Sequence, residues 1–353
     1  MTSHQSNRKT VLVTGANGYI GFSVSRAFVR AGYRVFGLVR RVEATIDLQV
    51  NEITPVVGTL DDLAWVPNLF EKSNTFNVLV NCLESYPDYE MVYQKLITLF
   101  RQVAMKSNEN GVRPLLMWSS GCKDYGMDGA FHGDPNFVAQ TEESPIDGTA
   151  GAMRSRAETS LRVFDHPEVF DGIVLRPTCV YGYSSSYYGA LLDYASEQAD
   201  KGEPALRIPV DPRTPMHACH VDDCAEAYIS LAEHAPRTAV ANQVYNISAH
   251  RYETVGEIGG ALAAAYGFPD GATFPQDGGD WFPSRLYVMF NFPQWVGSDK
   301  IRKVTGWTDK RALFQEDIGV FRAAYEAEKA RGHENIAKSS QRLHGIGSLV
   351  QPQ

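Results

Sequence analysis

Hydrophobic residues in the first half of the chain come in short unbroken runs, separated by longer stretches with helical spacing. The segments 10–14, YRVFGLVR at 33–40, 53–57, FNVLVNC at 76–82, RPLLMWSS at 113–120 and FDGIVLRP at 170–177 each read as a strand. They are apolar throughout rather than alternating, as strands covered on both faces must be. Helices are predicted over about 21–31, 88–109 and 151–164. Another is expected to open at Leu60-Asp61-Asp62, where carboxylates suit a helix N-terminus. In 88–109 the apolar positions 92, 96, 99, 100 and 103 mark one face. The order β-α-β-β-α-β-α-β predicts an α/β fold with one doubly wound parallel sheet.

Beyond about 180 the rhythm loosens. Helices are predicted at 190–200, 222–235, 253–266, 298–305 and 310–332, with a strand at VYNIS, 244–248. Residues 126–150 read as a surface loop. The stretch 267–297 is rich in Gly, Pro and aromatics without a clear period. The expected organisation is a dinucleotide-binding unit over 1–182, to which 220–248 returns. A smaller substrate-binding lobe covers 183–332, and 333–353 is expected to be a C-terminal tail. The second half should roof the C-terminal edge of the sheet, where open α/β sheets bind ligands.

The first strand runs into VLVTGANGYIG, with glycines at 15, 18 and 21. A strand, a tight glycine turn and a helix start let the backbone approach a pyrophosphate, which would sit on free N–H groups of the helix. Gly15, Asn17, Gly18, Tyr19, Ile20 and Gly21 are therefore expected cofactor contacts in a Rossmann-type site. An NAD site usually ends the second strand in a carboxylate for the ribose diol. Here the chain reads Gly37-Leu38-Val39-Arg40-Arg41, and two guanidiniums suit a 2′-phosphate. The expected cofactor is NADP(H). Leu60 and Asp61 after the third strand and Asn81 at the end of the fourth would border the same groove; Asp61 and Asp62 could instead cap the following helix.

The net charge of −8, without a basic block, argues against a nucleic-acid surface. No apolar run approaches membrane-spanning length. Residues 1–10 are short and polar, so no leader is expected. Five scattered cysteines without a C-x-x-C pair suggest free thiols and a cytoplasmic setting. No spacing of His, Cys and carboxylates suits a metal.

These pieces resemble the extended short-chain dehydrogenase/reductase superfamily, in its epimerase/dehydratase branch. The resemblance runs from about 10 to 322 and is carried by TGANGYIG at 14–21, WSSGCKDYG at 118–126, LRPTCVYG at 175–182, HVDDCAEAY at 220–228 and GWTDK at 306–310. It implies that Ser119, Pro177 and Val180 flank the cofactor. It also implies a Ser-Tyr-Lys set, in which the lysine lowers the tyrosine pKa and the phenol exchanges a proton with substrate. In register with Arg154–Glu158, Ala152 stands at the tyrosine position, Arg156 at the lysine and Gly121 at the serine. Arg156 would keep a positive charge near the ribose. Helices 88–109 and 151–164 often form a dimer interface in this family, so a homodimer is compatible with the chain.

With the usual set replaced, three readings stay open. One is an NADP(H)-dependent reductase of a small, mostly apolar carbonyl or enone, of a secondary-metabolite kind. Gly121-Cys122-Lys123-Asp124-Tyr125 resembles the Thr-Gly-x-Lys-x-Tyr segment of the progesterone 5β-reductase/iridoid synthase group, which implies an active-site role for Lys123. The second is a redox-neutral isomerase, dehydratase, lyase or cyclase that retains the dinucleotide. The third is a non-catalytic dinucleotide sensor. Lys123, Tyr187 and His217 are the expected catalytic residues. Gly121, Cys122, Tyr183, Tyr188 and Met216 are expected to contact substrate. Met216 stands where nucleotide-sugar enzymes of the family commonly carry an arginine, which argues against a nucleotide-sugar substrate. His220 is expected to be structural.

Overall fold

The computed structural model describes residues 8–84, 88–127, 129–146, 151–276 and 281–349, with the side chains of 151–152 and 345–349 outside that set. The chain runs β1 (Thr10–Thr14), α1 (Tyr19–Arg30), β2 (Arg34–Val39), α2 (Thr45–Val50), β3 (Thr54–Val57), α3 (Val66–Lys72), β4 (Val78–Asn81), α4 (Tyr89–Glu109), β5 (Leu115–Ser119), α5 (Gly151–Leu161) and β6 (Asp171–Pro177). It continues with β7 (Cys179–Tyr181), α6 (Gly189–Asp200), β8 (Leu206–Arg207), β9 (Pro215–Met216), β10 (Ala218–His220), α7 (Val221–Glu233), β11 (Gln243–Ile247), β12 (Glu253–Thr254), α8 (Val255–Tyr266), β13 (Ala272–Thr273), α9 (Ser284–Phe290), α10 (Asp299–Thr305), α11 (Ile318–Ala330) and α12 (Glu334–Leu349).

Seven strands form one parallel sheet in the order β11-β6-β5-β4-β1-β2-β3. The order reverses between β1 and β4, so their carboxyl ends flank the crevice where such sheets take ligands. Successive side chains of one strand enter opposite layers. Val11 and Val13 pack with α1 and α7, whereas Leu12 joins α4 on the other face. Val78 and Val80 against Leu79, and Leu115 and Met117 against Leu116 and Trp118, repeat the division. Burial on both faces is the reason the strands are continuously apolar.

A second core lies under the later segments. Tyr181, Tyr188, Leu191, Ile258, Phe290 and Phe314 belong to it, and Leu343 of α12 docks against it. The helices there carry strong local signals. Thr254 and Glu257 form a reciprocal capping box on α8, and Gly267 ends that helix at φ +76°.

Three expectations differ from the structure: the helix expected over 310–332 is α11, which begins only at Ile318, and two others differ more. The helix after β3 begins at Val66, not at Leu60: the Asp62 carboxylate accepts from Ala64 N–H in the turn before it, and Pro67 sits in the first helical turn. A helix, α12, stands where the tail was expected, held by the buried Leu343 and Asn335. Residues 350–353 and the loop segment 147–150 lie outside the described residues. Among the described residues no helix is long and apolar enough to cross a membrane.

Candidate active site

The turn after β1 is built around Gly15, at φ +70°. A Cβ there would lie 2.8 Å from the backbone C and O of Cys82, the residue after β4, so only glycine lets the two strand ends approach. Gly18 N–H donates to Gly15 O at 2.8 Å and then caps α1 with no side-chain acceptor. The first N–H groups of α1 thus face the crevice as anion donors. The Asn81 carboxamide closes the switch point, accepting from Thr14 Oγ1 at 2.8 Å and from Leu83 N–H at 3.2 Å. The Tyr19 hydroxyl donates to Gly182 O at 2.5 Å, tying the glycine turn to the loop after β7.

A cavity of about 280 Å³ opens from this turn along the carboxyl ends of the strands. Gly18, Tyr19 and Ile20 border one end, and Gly121, Cys122 and Lys123 the other. Pro177, Val180, Tyr187 and Arg156 of α5 also line it. Here the structure brings together residues separated by more than a hundred positions.

Arg156, expected from the resemblance at the lysine position, is held by two carboxylates. Its Nε donates to Asp124 Oδ1 at 2.8 Å, and its Nη1 to Glu84 Oε1 at 2.9 Å. Asp124 is fully buried, accepts from Ser120 Oγ at 2.5 Å, and has Arg176 Nε 3.4 Å away. A Cβ at Gly121 would meet the Arg156 guanidinium at 3.1 Å, so the arginine packs tightly against this glycine. Burial pushes the Glu84 carboxyl up, but Arg156 and the hydrogen bond from Tyr89 more than reverse this, leaving it below the usual range. The result is a cluster in which the Arg156 guanidinium is fixed by two carboxylates. The side chain of Ala152 falls outside the described residues.

Lys123 is the other cation of this end. Its Nζ lies 3.9 Å above the ring of Phe292, and no carboxylate among the described residues pairs with it. Burial, aided by the charge of Arg156, pulls its pKa below that of an ordinary lysine. Gln294 holds the loop that carries it, donating to Cys122 O at 2.8 Å and to Gly126 O at 3.2 Å.

Several expected site residues lie elsewhere. His217 is buried outside the cavity. Val296 N–H donates to its Nδ1 at 3.2 Å and its Nε2 is 3.0 Å from Ala249 O, so both ring nitrogens are occupied. Burial pulls its pKa down to about 4, and it stays neutral as a structural group. Tyr183 points away and donates to Asp222 at 2.5 Å. Tyr188 is packed beneath, 4.8 Å from Phe314 between ring centres. Met216 is buried in β9, and His220 caps α7 by accepting from Asp222 N–H. Ser119 lies 2.7 Å from the Tyr228 hydroxyl under the strand end. The Cys122 thiol, in the cavity wall, donates to Arg176 O and is pushed up by burial. Asp61 is solvent-exposed and ion-paired with Lys95, and Leu60 precedes it in the same turn.

Sequence reasoning missed Glu84, Met153, Arg285 and Val288 in the cavity wall, and the α12 residues Lys338 and Arg342 in its roof. Phe292 and Gln294 come from the aromatic stretch whose role was left open. For α12 one signal existed: Ile336 and Leu343 are seven apart, a helical spacing.

A family model described as the NAD dependent epimerase/dehydratase family matches residues 11–248. The fold is similar to dTDP-glucose 4,6-dehydratase from Bacillus anthracis in complex with NAD, with TM-score 0.69 and 17% identity, covering 94% of this chain and 99% of that one. It is also similar to UDP-glucose 4-epimerase from Bifidobacterium longum in complex with NAD+ and UDP, with TM-score 0.65 and 18% identity over 93% and 100% of the two chains. A stretch of 53 residues is 45% identical to an uncharacterised protein of Schizosaccharomyces pombe, and covers 15% of this chain but 18% of that relative's length. These findings correct the expected NADP(H) cofactor, and with it the NADP(H)-dependent carbonyl or enone reductase: the family model is NAD dependent, and the two solved structures hold NAD. The local reason is that Arg41, expected to receive a 2′-phosphate, is paired with Glu334 at 2.8 Å. Arg40 beside it is solvent-exposed.

Two outcomes are expected. Asp124→Ala strands two buried guanidiniums and should cost about 3–5 kcal/mol in urea unfolding; a loss under about 1 kcal/mol, the range of an exposed pair, would contradict the buried cluster. His217 carries a folded pKa of about 4 against 6.5 unfolded, so stability is complete above pH 6.5 and falls by about 3 kcal/mol as the pH drops to 4. His217→Gln should flatten that acid slope in unfolding curves taken between pH 7.5 and 4; an unchanged slope would contradict the assignment.

Proposed function

The chain belongs to the NAD dependent epimerase/dehydratase family, and on that premise we propose that it is a redox-neutral enzyme of the isomerase, dehydratase or lyase kind that retains NAD and acts on a small, largely apolar substrate. The observation that carries this reading is the locked Arg156–Asp124–Glu84 cluster at the place of the usual proton relay, facing the same cavity as the Lys123 amine.

The residues present suit a dinucleotide. Gly15 provides the close backbone approach, and the uncapped start of α1 offers N–H donors for the pyrophosphate. Pro177 and Val180 would wall the nicotinamide end, and the cavity continues from there to Lys123. Bound NAD would supply a hydride acceptor and donor within one closed cycle.

The substrate's apolar part would rest on Met153, Val288 and Phe292. Lys123, with its pKa lowered, presents more free amine than a solvated lysine. It can take a proton from a carbon acidified by a neighbouring carbonyl and return it to another face or to a departing hydroxyl. The proton stays with the substrate and its products, and no net electrons leave. Arg156, its charge already matched by Asp124 and Glu84, fixes the polar wall at this end and takes no part in proton transfer. Tyr187, on the loop after β7, completes the polar part of the wall.

The test uses protein loaded with NAD+ and a panel of small hydroxyketones and β-hydroxycarbonyl compounds in D2O. Product formation or deuterium entry at carbon, followed by NMR, is expected with no lasting rise at 340 nm. Lys123→Ala should slow it by about 10²–10⁴ with NAD affinity retained. Full activity in that variant would overturn the role of Lys123, and stoichiometric NADH accumulation would overturn the redox-neutral reading.

A further inference from the structure

The acidic residue that an NAD site places at the end of the second strand is missing here. β2 ends at Val39 and is followed by Arg40 and Arg41; Glu43 is exposed on the next turn. A carboxylate nevertheless stands at this position, brought from the far end of the chain. Glu334, the first residue of α12, places Oε2 2.8 Å from Arg41 Nη2 and Oε1 3.4 Å from Asn17 Nδ2 in the glycine turn. These contacts span the gap between the pyrophosphate turn and the end of β2, where the adenosine ribose of a dinucleotide lies.

The start of α12 is pinned independently on the other side of the groove. Asn335 is buried, and its Nδ2 donates to Ser184 Oγ at 3.1 Å and to Ser185 O at 2.6 Å. Glu334 is also steadied by Lys338 one turn on, at 2.7 Å. Burial raises the Glu334 pKa, but Lys338 and Arg41 more than reverse the effect, so the group is ionised.

We propose that Glu334 is the ribose-recognising carboxylate of the cofactor site, supplied by the C-terminal helix instead of by β2. An ionised carboxylate accepts two hydroxyl hydrogen bonds from a free ribose diol. It repels a 2′-phosphate, and it occupies the guanidinium of Arg41 that would otherwise favour one. α12 is therefore a specificity clasp, which reconciles an arginine pair after β2 with a site that takes NAD. The inference rests on the proposed function only in requiring that the chain bind a dinucleotide.

The experiment measures binding of NAD+ and of NADP+ by calorimetry to the full chain and to Glu334→Gln, Glu334→Asp and the double variant Glu334→Gln/Arg41→Ala. Glu334 is half-exposed, so these changes should leave the fold intact, which circular dichroism checks. The unaltered chain should prefer NAD+. Glu334→Gln should weaken NAD+ about tenfold and tighten NADP+ by a similar factor, the size expected for a charge-assisted hydrogen bond. Glu334→Asp should keep part of the preference, and the double variant should lose the gain in NADP+. Unchanged affinities in Glu334→Gln would overturn the inference alone. Equal tightening of both nucleotides would also overturn it, by making Glu334 an obstruction to the groove. Binding of neither nucleotide by the unaltered chain would overturn this inference together with the dinucleotide reading.

Discussion

Asp124 has no exposure to solvent, yet two guanidiniums converge on it, Arg156 from α5 and Arg176 from β6. A buried carboxylate is tolerated only when its charge is matched and its lone pairs are filled. Arg156, Arg176 and the Ser120 hydroxyl meet that demand and, in doing so, tie α5, β5 and β6 together at their cavity ends. A side chain at Gly121 would press on the Arg156 guanidinium, 3.1 Å from where its Cβ would lie. The short turn Cys122–Tyr125 that presents Lys123 is anchored by the same carboxylate. Ser120, Arg156 and Arg176 all take their positions from that one buried charge.

The chemical consequence is a division of labour unlike a phenol relay. A tyrosine beside a lysine shuttles a proton because the neighbouring charge lowers the phenol toward neutrality. A guanidinium clamped between two carboxylates cannot do this, since arginine keeps its proton throughout the physiological range. What remains is a fixed field and one amine of lowered pKa, set against an aromatic face and an apolar wall. Such an arrangement suits proton movement at a substrate carbon.

The sheet, the glycine turn and the family resemblance were legible because each is written in consecutive residues. Strands buried on both faces must be apolar throughout, and Gly15 must be glycine to pass Cys82. What local spacing does not carry went unseen. Arg41 reads as a phosphate ligand until Glu334, 293 positions later, is found beside it. His217 and His220 lie in one extended segment, and alternation alone does not tell which faces the ligand; contacts with Ala249 and Val296 turn His217 inward, and the Asp222 amide claims His220. α12 carries few apolar residues, so its docking depends on Asn335 reaching Ser184 and Ser185 across 150 positions. The expected helix start at Leu60 failed because Asp62 satisfies a turn, leaving Pro67 to set the first helical turn.

A crystal structure of the chain with NAD bound tests the central claim most directly. Arg156 is expected still clamped between Asp124 and Glu84, with Lys123 the titratable group nearest the open substrate space and no tyrosine hydroxyl in hydrogen-bond reach of the nicotinamide ribose. A tyrosine, Tyr187 above all, bonded to both that ribose and a bound carbonyl would restore a conventional phenol relay and contradict it.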